Sequence, residues 1–480
     1  MKFLLLSPHK WDPASPPAAL DYIAEALEKS GIHSEIADVT FTELQELESL
    51  LQKTRYEGIC LTIRNLERTV FSERLHFPLP AIKNMVNMIK KYCDCPVIVG
   101  GGGFSIMPER ILEYLGADYG FFRGGEEALP LLIEYLFENK GNLEEIPHLV
   151  YFDKGKTTCN SPFSYQRILP PVKRGYFNYH RYFRPGIENF SKFAPVETKR
   201  GCPYTCVYCV EPEIKGRTVR VKPVEDVTKE VDYFLSKGID HFFIADSEFN
   251  ADVDAAVELM QYWKEKGYHR KMKWLAYTTP CRFSEELAQL LPESGSLCIT
   301  IDFGHVLNKM LSNLGKGHTV KDIENAVSFC QEHNANFKGS LMLGGPGETR
   351  ETIREAIEFF SDIRCEIFLS LGIRVFPCTP LGEMVQKSGP LVENPNLYGK
   401  VVNNDDLFEP VYYISCELEE DILGYLQEFT ETSEQFYTLA PHFRLIKTMH
   451  GHFRGVQPEY ETSGHLDQHF ITRSSKEVIP

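Results

Sequence analysis

"KRGCPYTCVYCVEP", residues 199–212, brings three thiols, Cys202, Cys206 and Cys209, into a C-x3-C-x2-C spacing. The short run "APVETKR" just before it reads as a strand, so the cysteines stand at a strand end. Zinc sites close with four Cys or His ligands in paired short spacings, and no second C-x2-C lies elsewhere in the chain. Three thiolates leave one coordination position open. A cubane iron–sulfur cluster tolerates this, because the protein holds three irons and leaves the fourth for another ligand. A structural triple-thiol or zinc site is the alternative.

Working outward, candidate strands at 240–245, 273–277, 297–301, 337–342 and 366–372 follow the first at 195–199, with helical patterns between them. Six consecutive βα units predict a partial (βα)6 TIM barrel over 195–385, with its active site at the carboxyl ends of the strands. Upstream, residues 1–140 alternate amphipathic stretches with five apolar runs, "KFLLLS", "SEIADV", "EGICLTIR", "CPVIVG" and "ADYGFF". That pattern predicts an α/β domain with a doubly wound parallel sheet, whose ligands bind beyond the strand ends. The unusual residues gather there, in "SPHKWD", "TIRNLE", "GGGGFSI" and "RGGEE". Gly100 to Gly103 either let backbone approach a bulky ligand or form a flexible turn. Residues 141–194 read as an ordered connector, and 386–480 as a small mixed, α-rich extension with one amphipathic helix near "LEEDILGYLQEFTETSEQFY".

Composition narrows the class. A chain of 480 residues makes two or three domains. No apolar run approaches the roughly 18 residues of a membrane span, and "MKFLLLSPHKWD" is too short for a signal peptide. A cytoplasmic location is expected, and thirteen scattered cysteines, an odd number, fit its reducing conditions. A net charge of -16 argues against a nucleic-acid partner.

The cysteine motif resembles that of the radical S-adenosylmethionine (radical SAM) superfamily, whose 4Fe–4S cluster binds the cofactor through its unique iron. The resemblance implies roles for further residues. Tyr208 occupies the aromatic position that shields the cluster. "HFFIADSEFN" supplies Asp246 and Glu248 where the family holds the methionine amino group, although the usual Gly-Gly-Glu is absent. Asp302 in "LCITIDFG" stands where an acid bonds the ribose hydroxyls, or else it caps a helix. "GSLMLGGPGET", with Gly344 and Gly345, matches the turn whose backbone meets adenine.

The α/β domain ahead of the barrel resembles that of cobalamin-dependent radical SAM enzymes, the class B-type methyltransferases among them. That likeness covers roughly residues 1–375 and implies cobalamin contacts at Ser7, Arg64, Asn65, Gly101, Gly102, Gly103, Phe104, Gly124 and Glu126. The D-x-H-x-x-G signature is missing, so the cobalamin is expected base-off with no protein His on cobalt. A vestigial domain or a docking surface is the alternative. The implied function is methylation of an unactivated carbon by way of a 5'-deoxyadenosyl radical and methylcobalamin. A non-methylating rearrangement, cyclisation or oxidation, and a corrinoid- or SAM-binding sensor without turnover, are the competing readings. Implied partners are a small-molecule or peptide substrate and a low-potential electron donor such as flavodoxin or ferredoxin, with no nucleic acid and no membrane.

Overall fold

The computed structural model describes residues 1–10, 14–66, 77–162, 168–183, 193–363, 365–418 and 422–438. Parts of the expected connector (163–167 and 184–192), residues 419–421 of the expected helix stretch and the tail beyond 438 lie outside these.

The first domain runs β1 (Lys2–Ser7), α1 (Ala19–Lys29), β2 (His33–Asp38), α2 (Leu44–Lys53), β3 (Gly58–Thr62), α3 (Leu79–Tyr92), β4 (Val97–Gly100), α4 (Gly102–Ile106), α5 (Pro108–Leu115), β5 (Tyr119–Phe121) and α6 (Leu129–Glu138). All five expected strands form, in the parallel order β2-β1-β3-β4-β5. The sheet is buried on both faces, so its strands are near-continuous apolar runs: every residue of β1 after Lys2 is buried. The expected connector contributes more than a linker. Residues Leu149–Asp153 (β6) and Lys156–Cys159 (β7) make a hairpin that adds two antiparallel strands to this sheet. Its two-residue turn, Lys154 (φ 48°) and Gly155 (φ 81°), is left-handed at both positions, as a tight hairpin requires.

The second domain begins with β8 (Ala194–Val196). The short pair β9 (Lys199–Arg200) and β10 (Arg220–Val221) brackets α7 (Glu211–Lys215). Then follow α8 (Val224–Ser236), β11 (His241–Ile244), α9 (Val253–Glu265), β12 (Lys273–Thr278), α10 (Glu285–Ser294), β13 (Ser296–Gly304), α11 (Asn308–Asn313), α12 (Val320–Glu332), β14 (Phe337–Leu343), α13 (Arg350–Phe359) and β15 (Ile367–Leu371). These six strands lie parallel in sequence order, as the alternation predicts. A seventh joins them from the extension. After β16 (Ile373–Arg374), α14 (Pro380–Lys387), β17 (Leu397–Gly399), β18 (Val411–Tyr413) and α15 (Ile422–Thr432), the two-residue β19 (Phe436–Tyr437) pairs parallel with β15. Phe436 and Tyr437 end the stretch in which the sequence predicts an amphipathic helix. Two residues carry no periodicity, so only the neighbouring strand reveals them.

Candidate functional site

The cysteine loop is pinned from three sides. Gly201 (φ 116°) passes against the Thr218 carbonyl, where any side chain would collide. The Cys202 N–H donates to the Gly216 carbonyl (2.9 Å), and that of Val207 to the Leu314 carbonyl (3.0 Å). The Leu381 N–H donates to the Val207 carbonyl (2.9 Å), bringing the start of α14 onto the loop. Cys202 is buried, and Cys206 and Cys209 are half-buried. Burial pushes the Cys202 thiol up to about 11 and those of Cys206 and Cys209 up as well. Among the described residues no three His, Cys, Asp or Glu side chains converge on a single-ion position. A cubane does not ask for that, since each thiolate takes a different iron, and the three-thiol donor set fits it.

The barrel mouth beside this loop holds the acids that the sequence singled out, and the structure divides them. Asp246, expected at the cofactor's amino group, is engaged by the protein itself. Its carboxylate accepts from the N–H groups of Thr198 (2.7 Å) and Lys199 (3.0 Å), from the Thr198 hydroxyl (2.5 Å) and from the Lys199 ammonium (3.2 Å), all of them buried. It fastens the end of β8. Glu248 differs: its Oε2 is buried with no hydrogen-bond partner among the described residues. Burial, and then the nearby Asp302 charge, push its carboxyl up to about 8.

Asp302 lies inside β13, which excludes the helix-cap reading. Its Oδ2 accepts from the Lys316 ammonium (2.6 Å) and its Oδ1 from the Ser340 hydroxyl (3.2 Å). Burial opposes its charge, but Lys316 outweighs that and holds the carboxyl below its ordinary range. Lys316 also stands 5.4 Å from the centroid of the half-buried Tyr208 ring, joining the acid to the cysteine loop. The sequence reading missed this lysine, although it stands in "LGKGHT" between two glycines. Gly344 (φ 87°) and Gly345 end β14 as expected. A side chain at Gly345 would strike Leu314, while the Gly344 carbonyl accepts from Ser415 N–H (2.9 Å).

The first domain's mouth is corrected more heavily. Its strand order reverses between β1 and β3, the switch point at which such sheets bind ligands. The loops facing that crevice carry His9, Arg64 and Asn65. The Arg64 guanidinium reaches the Ser15 hydroxyl (2.5 Å), and desolvation in the crevice lowers its pKa although its surface stays accessible. His9 Nε2 accepts from the Arg64 N–H (3.2 Å). This polar, cationic crevice at a switch point fits a large amide-bearing ligand such as a corrinoid. Four of the expected contacts are already engaged elsewhere. Ser7 is buried and bonds Asp38. Phe104 is fully buried core. Glu126, with Gly124 packed beside it, pairs with Arg200 of the barrel. The glycine turn faces protein as well. A Cβ on Gly101 would lie 2.6 Å from the Ile63 carbonyl oxygen, on Gly103 2.9 Å from the Asn65 carbonyl carbon, and on Gly102 3.3 Å from the Ile214 side chain. These glycines let the turn press on the β3 loop and on α7.

The two mouths meet. Val210 and Ile214, just after Cys209, pack into the first domain's core with Leu66, Ile106 and Met107. Arg123 of the first domain donates through Nε to the Glu213 carbonyl (3.2 Å). A buried charge network binds the other side. Arg174 of the connector pairs with Asp21 on α1 (3.3 Å) and Glu230 on α8 (2.9 Å), and Lys222 also holds Glu230. The Tyr22 hydroxyl donates to Glu197 (2.8 Å), which Arg200 grips through two bonds (2.8 and 2.7 Å). Arg200, Arg174 and Lys222 stand 5.1, 5.4 and 5.7 Å from the centroid of the Tyr22 ring.

Comparison with known proteins agrees with this division. Residues 196–360 match the radical SAM superfamily model, and residues 12–133 match the B12-binding domain model. The tryptophan 2-C-methyltransferase of Streptomyces laurentii is 26% identical over 439 residues, covering 78% of this chain and 72% of that protein. An uncharacterised methyltransferase of Pyrococcus horikoshii is 27% identical over 270 residues, 55% of this chain and 57% of its own. Among solved structures, the radical S-adenosylmethionine methyltransferase TsrM from Kitasatospora setae, with cobalamin and a 4Fe–4S cluster bound, superposes with a TM-score of 0.81 at 24% identity, covering 95% of this chain and 97% of that one. OxsB, a cobalamin-dependent S-adenosylmethionine radical enzyme, gives 0.69 at 17%, covering 90% and 66%. A radical SAM domain implies a 4Fe–4S cluster and S-adenosylmethionine, and a B12-binding domain implies cobalamin. The chain thus carries a radical SAM domain over residues 196–360 and, ahead of it, a B12-binding domain over residues 12–133.

Proposed function

We propose that the chain is a cobalamin-dependent radical SAM methyltransferase that alkylates an unactivated carbon of a small-molecule or peptide substrate. The observation that carries this reading is the core shared by the two mouths, in which Val210 and Ile214 pack against the first domain next to its crevice. A cluster site and a corrinoid site so joined serve one reaction. The likeness to a tryptophan C-methyltransferase over most of both chains names the kind of reaction.

When bound, the cluster, S-adenosylmethionine and cobalamin supply electrons, a methyl group and its carrier. The protein's own residues position and enclose. Cys202, Cys206 and Cys209 hold the cluster, with Tyr208 shielding it. The unpartnered Glu248 oxygen receives the ammonium of S-adenosylmethionine. Asp302, oriented by Lys316 and Ser340, takes the ribose hydroxyls, and the turn at Gly344 and Gly345 meets adenine. Arg64 and Asn65 bind the amide periphery of the corrinoid. His9 spends its acceptor nitrogen on the Arg64 N–H, so its imidazole would brace the β3 loop beside the cofactor. The shared core keeps water from the space between the sites.

The reading extends to a low-potential electron donor such as flavodoxin or ferredoxin and to a cytoplasmic location; among the described residues no helix is long and apolar enough to cross a membrane. Anaerobic turnover with methyl-labelled S-adenosylmethionine tests the reaction. Label in the product, with S-adenosylhomocysteine and 5'-deoxyadenosine in equal amounts, is the expected outcome. The OxsB fold belongs to a radical enzyme, so product without label decides for a non-methylating reaction.

A further inference from the structure

Between β17 and β18 the chain turns through residues 403–409 and reaches out of the barrel into the first domain. Asn403 (φ 55°) and Leu407 (φ 56°) both hold left-handed backbone angles. Asparagine tolerates that region, but a leucine there is strained, and such strain persists only where the surroundings over-determine it. Here they do. The Asn404 amide donates to the carbonyls of Lys400 (2.8 Å) and Glu409 (2.9 Å), and its oxygen accepts the Glu409 N–H (2.9 Å). Asp406 accepts the Phe408 N–H (3.3 Å). Arg374, itself buried, donates to the carbonyls of Leu407 and Glu409, both at 3.4 Å.

What this scaffolding achieves is the placement of one side chain. Phe408, 4% exposed, lies edge-on to Phe77 (5.6 Å between centroids) and 5.1 Å from the Tyr114 ring. The Arg110 guanidinium covers it at 4.5 Å and donates to Asp406 at 2.9 Å. Phe408 and Phe376 belong to the same core as Leu66 and Met107. Leu66 follows Arg64 and Asn65 on the β3 loop, and Met107 follows α4, so the loops that bound the crevice share one core with this turn. Had the turn served only to cap the barrel, its aromatic ring would be buried in the barrel.

We propose that the 403–409 turn is a lock that keeps the first domain's crevice in shape for its corrinoid, with Phe408 as the key. This rests on the cofactor assignment above. Phe408 is a positioning residue acting through Phe77, Tyr114 and the core they share with Leu66 and Met107.

The test uses the full-length chain, reconstituted anaerobically with iron, sulfide and cobalamin. Cobalamin release, iron content and S-adenosylmethionine binding are followed in the parent, Phe408→Ala and Phe408→Leu. In Phe408→Ala, release should speed up about tenfold while iron content and S-adenosylmethionine affinity stay within about twofold. Hydrogen exchange at residues 62–66 should rise, and Phe408→Leu, which refills the space, should recover most of the retention. If Phe408→Ala releases cobalamin at the parent's rate, or loses cobalamin, iron and S-adenosylmethionine binding together, the lock is overturned. A parent that holds no cobalamin at all overturns instead the cofactor assignment beneath it.

Discussion

Asp246 and Asp302 both project from the carboxyl ends of barrel strands, both are acids, and both stood in the motifs that the sequence offered for one cofactor. Their surroundings are opposite. Asp246 is saturated by four donors from Thr198 and Lys199, all buried. Asp302 has one ammonium and one hydroxyl, and its neighbour Glu248 keeps a bare oxygen. A group that binds a ligand must keep hydrogen-bonding capacity in reserve, whereas a group that fastens a strand has none left. Counting donors around each acid separates the two roles; residue type and position along the strand do not.

The largest effect lies outside the pair and sets its scale. Replacing Cys202, Cys206 and Cys209 together with Ala should abolish activity and leave reconstituted iron near background, whatever happens at the acids; about four irons per chain in that variant would place the cluster elsewhere. Next comes Asp246→Ala, which strands the buried Lys199 ammonium. It should cost about 3–5 kcal/mol of stability in denaturant titrations. A variant that melts normally but has lost S-adenosylmethionine would reverse the assignment.

Asp302→Asn and Lys316→Met should instead weaken S-adenosylmethionine about ten- to a hundredfold, or roughly 1.4–2.8 kcal/mol, with iron content unchanged, as read by calorimetry on the clustered protein. Equal loss of stability in Asp246 and Asp302 variants would erase the contrast. The smallest effect is one of pH. The Glu248 carboxyl is raised to about 8, so below that value it must shed a proton to meet an ammonium. Affinity should therefore climb as pH approaches 8 and level off above it. In the cofactor-free chain the sign is opposite: the neutral acid is the favoured form in the fold, so its stability contribution is complete below the ordinary carboxyl range and is lost as pH rises through about 8. Glu248→Gln should flatten both profiles, and an unchanged affinity profile would remove Glu248 from the site.

These contrasts mark what a sequence can carry. The parallel strands were legible because burial on both faces forces continuous apolar runs, as in β1 and β3. The cysteine motif was legible because spacing and strand-end position are local. Lys316 was not: its value comes from Asp302, fourteen residues away, and from Tyr208 in another loop. The four glycines pointed to crowding, yet only the fold reveals that the crowding body is the protein's own β3 loop and Ile214. Glu126 looked like a ligand contact for the same reason, since its true partner, Arg200, lies 74 positions further on.

The Tyr22 ring, set among three cations from the connector and the barrel, carries a lesson about divisibility. Cut after residue 140, the first domain would expose Asp21, Tyr22 and Glu126 without Arg174, Lys222 and Arg200. The remaining piece would keep these cations while losing two of their buried counter-charges. Neither fragment is electrically complete. The chain is written as two modules in its sequence but is one cooperative unit in its energetics, and heat or denaturant should dissolve both halves in a single transition.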